Sequence, residues 1–259
     1  MTILCYHAID DSWRSTLVVS PDDFSRQCEW LARKRRVVPL EVAVETFSRA
    51  GRLTNGRTAL TFDDGFEGLY EHALPTLERL GLPATIFLVA ETLSERGRAV
   101  DWVDDAPTPP PTTLSLEQIL EMKERGISFM SHTYSHRVLT TLDESECTAD
   151  LQRSRALLED LLHEKVPFLA YPRGRHNEMV RRAASAAGYT HAFSLPEQRE
   201  AVGRHAIPRA GIYPGNGLAS LRAKSSSRYL AFRMSPIYPW VRAAGRGVRS
   251  LLRSRSANA

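Results

Sequence analysis

Short apolar, β-prone runs alternate with helix-patterned segments through most of the chain, and this alternation restricts the fold more than any other feature. Ile3-Leu4-Cys5-Tyr6, the run 58–62, Ala84-Thr85-Ile86-Phe87-Leu88-Val89, Ile127-Ser128-Phe129-Met130, the run 166–171 and the run 190–194 read as strands, with Ala206-Ile207-Pro208-Arg209 as a last short one. Helices are expected from Pro21 with Ser20 as cap, over about 66–80 up to Gly81, from Ser115 to about Arg125, over roughly 143–163, and over 177–187 up to Gly188. Strands that return through helices make a mainly parallel sheet. About seven such units in 215 residues predict an α/β barrel, complete or partial.

The residues able to do chemistry stand just after strands: His7, Asp63, Asp64, His132, His136 and Pro172. In α/β barrels that end carries the active site, so motifs far apart in sequence converge on one face. Thr61-Phe62-Asp63-Asp64-Gly65 puts two carboxylates at a strand end, and Gly65 lets the backbone turn there. Ser131-His132-Thr133-Tyr134-Ser135-His136 offers two imidazoles four apart, which one helical turn or a tight loop can aim at one ion. An aspartate completes a two-histidine, one-carboxylate set that leaves a coordination position for water. Such an ion lowers the pKa of its water toward ~7 and polarises a carbonyl. A second carboxylate can accept the water's proton. The combination points to a metal-dependent hydrolase.

Composition bounds the rest. The chain has 259 residues, 42% hydrophobic and 25% charged, as soluble globular proteins do. No run of eighteen apolar residues spans a membrane. The N-terminus lacks a basic leader and a long apolar core, which predicts a cytoplasmic protein. Cys5, Cys28 and Cys147 fit neither a disulfide framework nor a Cys-x-x-Cys metal site and read as buried thiols. The net charge of +4 hides an asymmetry: residues 201–259 carry ten arginines, Lys224 and no acid, or +11, against −7 for the first 200. A basic tail of this kind favours an anionic surface.

On these motifs the chain resembles the polysaccharide deacetylase family, the NodB-homology domain or carbohydrate esterase family four. The resemblance covers roughly residues 1–215. Thr61–Gly65 matches the family's first motif and Ser131–His136 its second. The run 168–174 resembles the third motif in the branch that begins with a Tyr-His, here Tyr6-His7. The resemblance implies a distorted (β/α)7 TIM-like barrel as a single domain over 1–215, with 216–259 as a basic C-terminal tail. It implies Asp63 as general base and Asp64, His132 and His136 as ligands of a divalent metal, Zn2+ in the first place, with Co2+, Ni2+ or Mn2+ as alternatives. An oxyanion would be stabilised by the ion and by a backbone N–H near Pro172-Arg173, with Tyr171 beside them. The reaction implied is removal of N-acetyl groups from an amino-sugar glycan or glycolipid.

Two positions depart from the family pattern. The third-motif arginine that orients the base is replaced by Ala170, and Arg209, or else Arg173, is the candidate substitute. The late Leu-x-x-His that carries the general acid is missing, which leaves His205 and His7 as candidates. Trp102, Asp104 and Asp105 in the proline-rich loop 97–113 either line a sugar groove or belong to a solvated connector. The stretch 240–253 reads as a basic amphipathic helix on an anionic membrane or as a disordered tail. A membrane-peripheral location at the inner face would suit a lipid-linked N-acetylated sugar; an oligosaccharide or polysaccharide needs none. Nucleic acid is the disfavoured partner. The competing readings are a deformylase or other amide hydrolase, and a non-catalytic carbohydrate-binding protein.

Overall fold

The computed structural model describes residues 2–51, 56–94, 97–196 and 199–238. In chain order the elements are β1 (Thr2–Tyr6), β2 (Ala8–Ile9), β3 (Val18–Val19), α1 (Pro21–Lys34), β4 (Arg36–Val37), α2 (Leu40–Ala50), β5 (Arg57–Phe62), α3 (Leu74–Arg79), β6 (Ala84–Leu88), α4 (Leu116–Glu124), β7 (Ser128–Ser131), α5 (Glu144–Leu162), β8 (Phe168–Ala170), α6 (Glu178–Ala186), β9 (His191–Ser194), β10 (Ile207–Pro208), β11 (Ala210–Gly211), α7 (Leu218–Lys224) and α8 (Ser227–Arg233). Helix starts follow their caps. Ser20 Oγ accepts from Asp23 N at 3.2 Å, and Ser115 and Asp143 each form a capping box with the residue three on. The stretch 66–80 is not one α-helix as expected. A π-helical turn over Leu69–Ala73 runs into α3, because Pro75 has no N–H to give to a carbonyl four residues back.

The main sheet runs β10-β9-β8-β7-β6-β5-β1-β11, with β4 added on β5, and every pairing is parallel. β1 and β6 are buried along their whole length, which is why these strands read as continuous apolar runs rather than alternating ones. The eight strands nearly close into a barrel. The closing piece is the segment 207–211. Its first half pairs with β9 (Ile207 opposite Phe193) and its second half with β1 (Ala210 opposite Leu4). Only Arg209 lies between the two halves, and counted as one bent stave the segment is the seventh.

The packed body continues past residue 215. Residues 218–233, expected in the tail, form α7 and α8. Leu221 is fully buried, and Lys224 Nζ donates to Gly211 O at 2.7 Å and to Asn216 Oδ1 at 2.6 Å. Gln27 of α1 donates to Asn216 O at 2.6 Å, tying this region back to the barrel. The amphipathic stretch 240–253 lies outside the described residues. No described helix is long and apolar enough to cross a membrane. Burial of Leu221 makes a test: Leu221→Ala should lower stability by about 2–5 kcal/mol in urea unfolding, whereas a leucine in a solvated tail would cost nothing.

Candidate active site

β5 ends at Phe62, and Asp63 continues its ladder by donating its N–H to Tyr6 O at 3.0 Å. The chain then turns through two left-handed residues, Asp64 (φ 72°) and Gly65 (φ 69°). A Cβ on Gly65 would lie 2.7 Å from Leu88 Cδ2, so glycine is required there. This turn splits the carboxylate pair: Asp63 lies inside the barrel end, and Asp64 joins the two imidazoles.

The histidines come from the loop after β7, not from a helical turn. Thr133 and His136 hold positive φ values of 73° and 53°. The loop is braced from below. Thr133 N donates to Ser131 Oγ at 3.2 Å, and His136 N donates to Thr133 Oγ1 at 3.1 Å. Asp150 of α5 accepts from Tyr134 N at 2.9 Å and from Ser135 Oγ at 2.5 Å. His132 and His136 place their Nε2 atoms 3.6 and 3.2 Å from Asp64 Oδ1. Donor atoms of all three residues lie within 4.8 Å of one another.

The set fits a divalent cation. Asp64 Oδ1 is buried without a hydrogen-bond partner, an arrangement that costs free energy unless a cation meets the carboxylate. His132 Nδ1 sits 2.9 Å from Ala170 O, which makes Nδ1 the protonated nitrogen and leaves the Nε2 lone pair for a ligand bond. Burial pushes the His132 imidazole down to about 4, so it is neutral above that pH. Burial alone would raise the Asp64 carboxyl, but the adjacent His136 imidazole, with His132 and His7, outweighs it and keeps the group low.

Behind this set Arg209 grips Asp63 with two bonds, NH1 to Oδ1 and NH2 to Oδ2, both 2.7 Å, and both residues are buried. Of the two arginines considered, Arg209 is therefore the one beside the base candidate. Cys5 Sγ adds a third donor to Asp63 Oδ2 at 3.3 Å. Burial pushes the Asp63 carboxyl up, but the charge and hydrogen bonds of Arg209, together with the His132 and His7 imidazoles, more than reverse this and hold it well below the usual carboxylate range.

The candidate metal set opens into a cavity of about 240 Å³ whose wall includes His7, Asp64, Trp102, His132, His136 and Tyr213. The Trp102 ring lies over His136 with centroids 4.6 Å apart and planes 30° apart. The loop 97–113 is a packed strap rather than a solvated connector. Val100 and Val103 are buried with Phe66, and Ala99 pairs with Thr112. Arg173 clamps Asp104 at 2.8 and 2.9 Å and donates to Trp102 O at 3.2 Å.

Other candidates are not brought together. His7 lines the cavity and stacks on Tyr213 with centroids 6.0 Å apart. His205 does not line it: it precedes β10 instead of following a strand, and its Nε2 lies 3.0 Å from Tyr189 O. The Tyr171 side chain turns into the core, where its hydroxyl donates to His205 O at 2.9 Å, and its N–H is taken by Phe193 O. Pro172 is buried in the turn before Arg173 and is not part of the cavity wall. Sequence reasoning missed Cys5, Asp150, Tyr213 and the Ala170 carbonyl. Asp150 lies inside α5, away from its cap Asp143, and none of the four carries a local signal.

A parallel β/α barrel with a buried Asp-His-His set beside a clamped carboxylate is the architecture of a hydrolase. The polysaccharide deacetylase family model matches residues 50–192, and the chain belongs to that family. The Bacillus subtilis protein YxkH is 26% identical over 83% of this chain and 72% of its own length. The poly-β-1,6-N-acetyl-D-glucosamine N-deacetylase of Staphylococcus epidermidis is 27% identical over 70% of this chain, which spans 62% of that enzyme. Among solved structures, the Streptococcus pyogenes deacetylase PplD in complex with acetate superposes with a TM-score of 0.74 at 26% identity, over 87% of this chain and 98% of that one. IcaB from Ammonifex degensii gives 0.71 at 25%, over 86% and 96%.

Removing the clamp should be costly. Arg209→Met leaves Asp63 buried and unpaired, which destabilises the fold by about 3–5 kcal/mol. The desolvation that Arg209 now outweighs would then raise the Asp63 carboxyl. The acid limb of the kcat/KM profile should move to higher pH, and activity lost at neutral pH should partly return as pH rises. An unmoved acid limb would separate Asp63 from the rate-limiting chemistry.

Proposed function

We propose that the chain hydrolyses the acetamide of an N-acetylated amino sugar in a glycan or glycolipid, giving a free amine and acetate. One observation carries this reading: two imidazole Nε2 atoms and Asp64 Oδ1 converge on the wall of an open cavity, with the Asp63 carboxylate clamped behind them. Asp64, His132 and His136 would hold a divalent ion, Zn2+ by its fit to two nitrogens and a carboxylate, with Co2+, Ni2+ or Mn2+ able to occupy the same donors. When bound, the ion supplies Lewis acidity for the acetyl carbonyl and acidifies water.

The protein's own groups do the rest. Asp63 accepts the proton of the attacking water, and Arg209 and Cys5 hold its carboxylate in place. His7, on the cavity wall within 4.8 Å of the Asp63–Cys5 donors, is placed to protonate the leaving amine. The strap bearing Trp102 covers His136 and restricts water. The likeness to a poly-β-1,6-N-acetyl-D-glucosamine deacetylase favours an N-acetylglucosamine polymer or oligomer. The +11 charge over 201–259 favours a lipid-linked sugar presented at an anionic, inner membrane face.

Two variants separate the roles. Asp63→Asn should bind metal stoichiometrically yet lose at least about a hundredfold in kcat, by elemental analysis and acetate release. His136→Ala should lose the metal. Wild-type turnover in Asp63→Asn would remove the base assignment. Chelator treatment should abolish acetate release, and Zn2+ or Co2+ should restore it. Parallel assays for formate and ammonia decide against an N-formyl sugar or a ureide.

A further inference from the structure

The same cavity has a second chemical character that amide hydrolysis does not use. Its wall carries three arginines, Arg173, Arg175 and Arg233. Arg173 is neutralised by Asp104. Neither Arg175 nor Arg233 has a carboxylate within ion-pair distance among the described residues. Arg233 is partly buried and fixed. Its Nε donates to Pro196 O, its NH1 to Tyr229 OH at 3.0 Å, and its guanidinium lies 5.5 Å over the Tyr238 ring. Lys224, also buried without a carboxylate, stands beside the same Tyr213 wall, 5.3 Å over that ring. The Arg233 charge contributes to lowering Lys224, after burial, so the two cations feel one another. Of the other acids on the wall, Asp64 faces the two imidazoles, and Asp105 is engaged by Ser15 Oγ at 2.5 Å and Thr16 N at 2.9 Å. Arg175 is exposed, but holding the partly buried Arg233 with no carboxylate partner among the described residues is unfavourable in the free protein. A ligand that brings the missing anion removes that cost.

We propose that Arg233 and Arg175 form an anion subsite beside the deacetylation centre, so that the chain prefers an acetamido sugar bearing a phosphate or carboxylate to a neutral one. The inference rests on the hydrolase reading and deepens it by naming the substrate class. The cavity, about 240 Å³, is smaller than the ~300–1,000 Å³ typical of drug-sized ligand sites. The anion therefore belongs to the reacting sugar or its immediate neighbour. Planar guanidinium forks suit both oxyanions. Arg233 comes from α8 and Arg175 from the turn after β8, so the subsite exists only when the C-terminal helices are packed on the barrel.

The test compares an N-acetylglucosamine disaccharide, its 1-phosphate, and a disaccharide in which a hexuronic acid neighbours the N-acetylglucosamine. Acetate release and calorimetric binding are both measured with metal-loaded full-length protein. The expected result is a kcat/KM at least about tenfold higher for one or both anionic sugars, expressed in KM and shrinking with added salt. A phosphate-only or carboxylate-only preference says which oxyanion the subsite takes. Arg175→Gln, an exposed side chain with no hydrogen bond among the described residues, should collapse the anionic-to-neutral ratio without a change in Tm. Arg233→Gln should do the same, with Tm recorded because its guanidinium also anchors Pro196 and Tyr229. Equal rates and equal affinities for the three sugars overturn the subsite and leave the hydrolase intact. Preferential binding of an anionic sugar without acetate from any of them keeps the subsite and overturns the hydrolase.

Discussion

The paired bonds between Arg209 and Asp63 join the last stave of the barrel to the second functional strand end, and much of the site depends on them. Arg209 occupies the single position where the closing stave stops pairing with β9 and begins pairing with β1. That break in the ladder directs a long cationic side chain inward, where apolar packing alone would not accept it. Asp63 in turn could not stay ionised at its depth without a fixed cation. Barrel closure and a charged base are thus one structural requirement, not two.

Around that pair the backbone is held in uncommon conformations. Asp64, Thr133, His136 and Arg173 all have positive φ, and all four lie at or beside the cavity. Each such residue costs of order 1 kcal/mol or more and persists only where its surroundings over-determine it. The surroundings are visible: Asp150 and the Ser131 and Thr133 hydroxyls brace the histidine loop, and Asp104 restrains Arg173. The donor set is consequently oriented by protein–protein contacts, so little ordering is left to ligand binding.

The parts of the chain outside residues 50–192 contribute much of what is individual to this site. Cys5 and His7 come from the first strand end, Arg209 from the closing stave, Tyr213 from the turn just after it, and Arg233 from α8. The candidate metal ligands Asp64, His132 and His136 lie within the segment that the family shares, while the cavity wall around them also draws on both ends of the chain. A packed C-terminal pair of helices, rather than a tail beginning at 216, is what makes that wall.

Strand runs and the two motifs were legible in the sequence because their signals are local. A parallel strand buried on both faces must be apolar throughout, and an Asp-Asp-Gly or a spaced histidine pair directly after such a run can point only at the barrel mouth. Asp63, Asp64, His132 and His136 follow from that. Tyr171 and His205 were candidates by position along the chain, but side-chain direction and strand polarity took them elsewhere. The choice of Arg209 over Arg173, the Ala170 carbonyl that sets the His132 tautomer, and the place of Arg233 on the cavity wall were decided by tertiary structure alone. Each depends on which staves become neighbours and where the closing one breaks, and a backbone carbonyl or a place on a cavity wall leaves no mark in the order of residues.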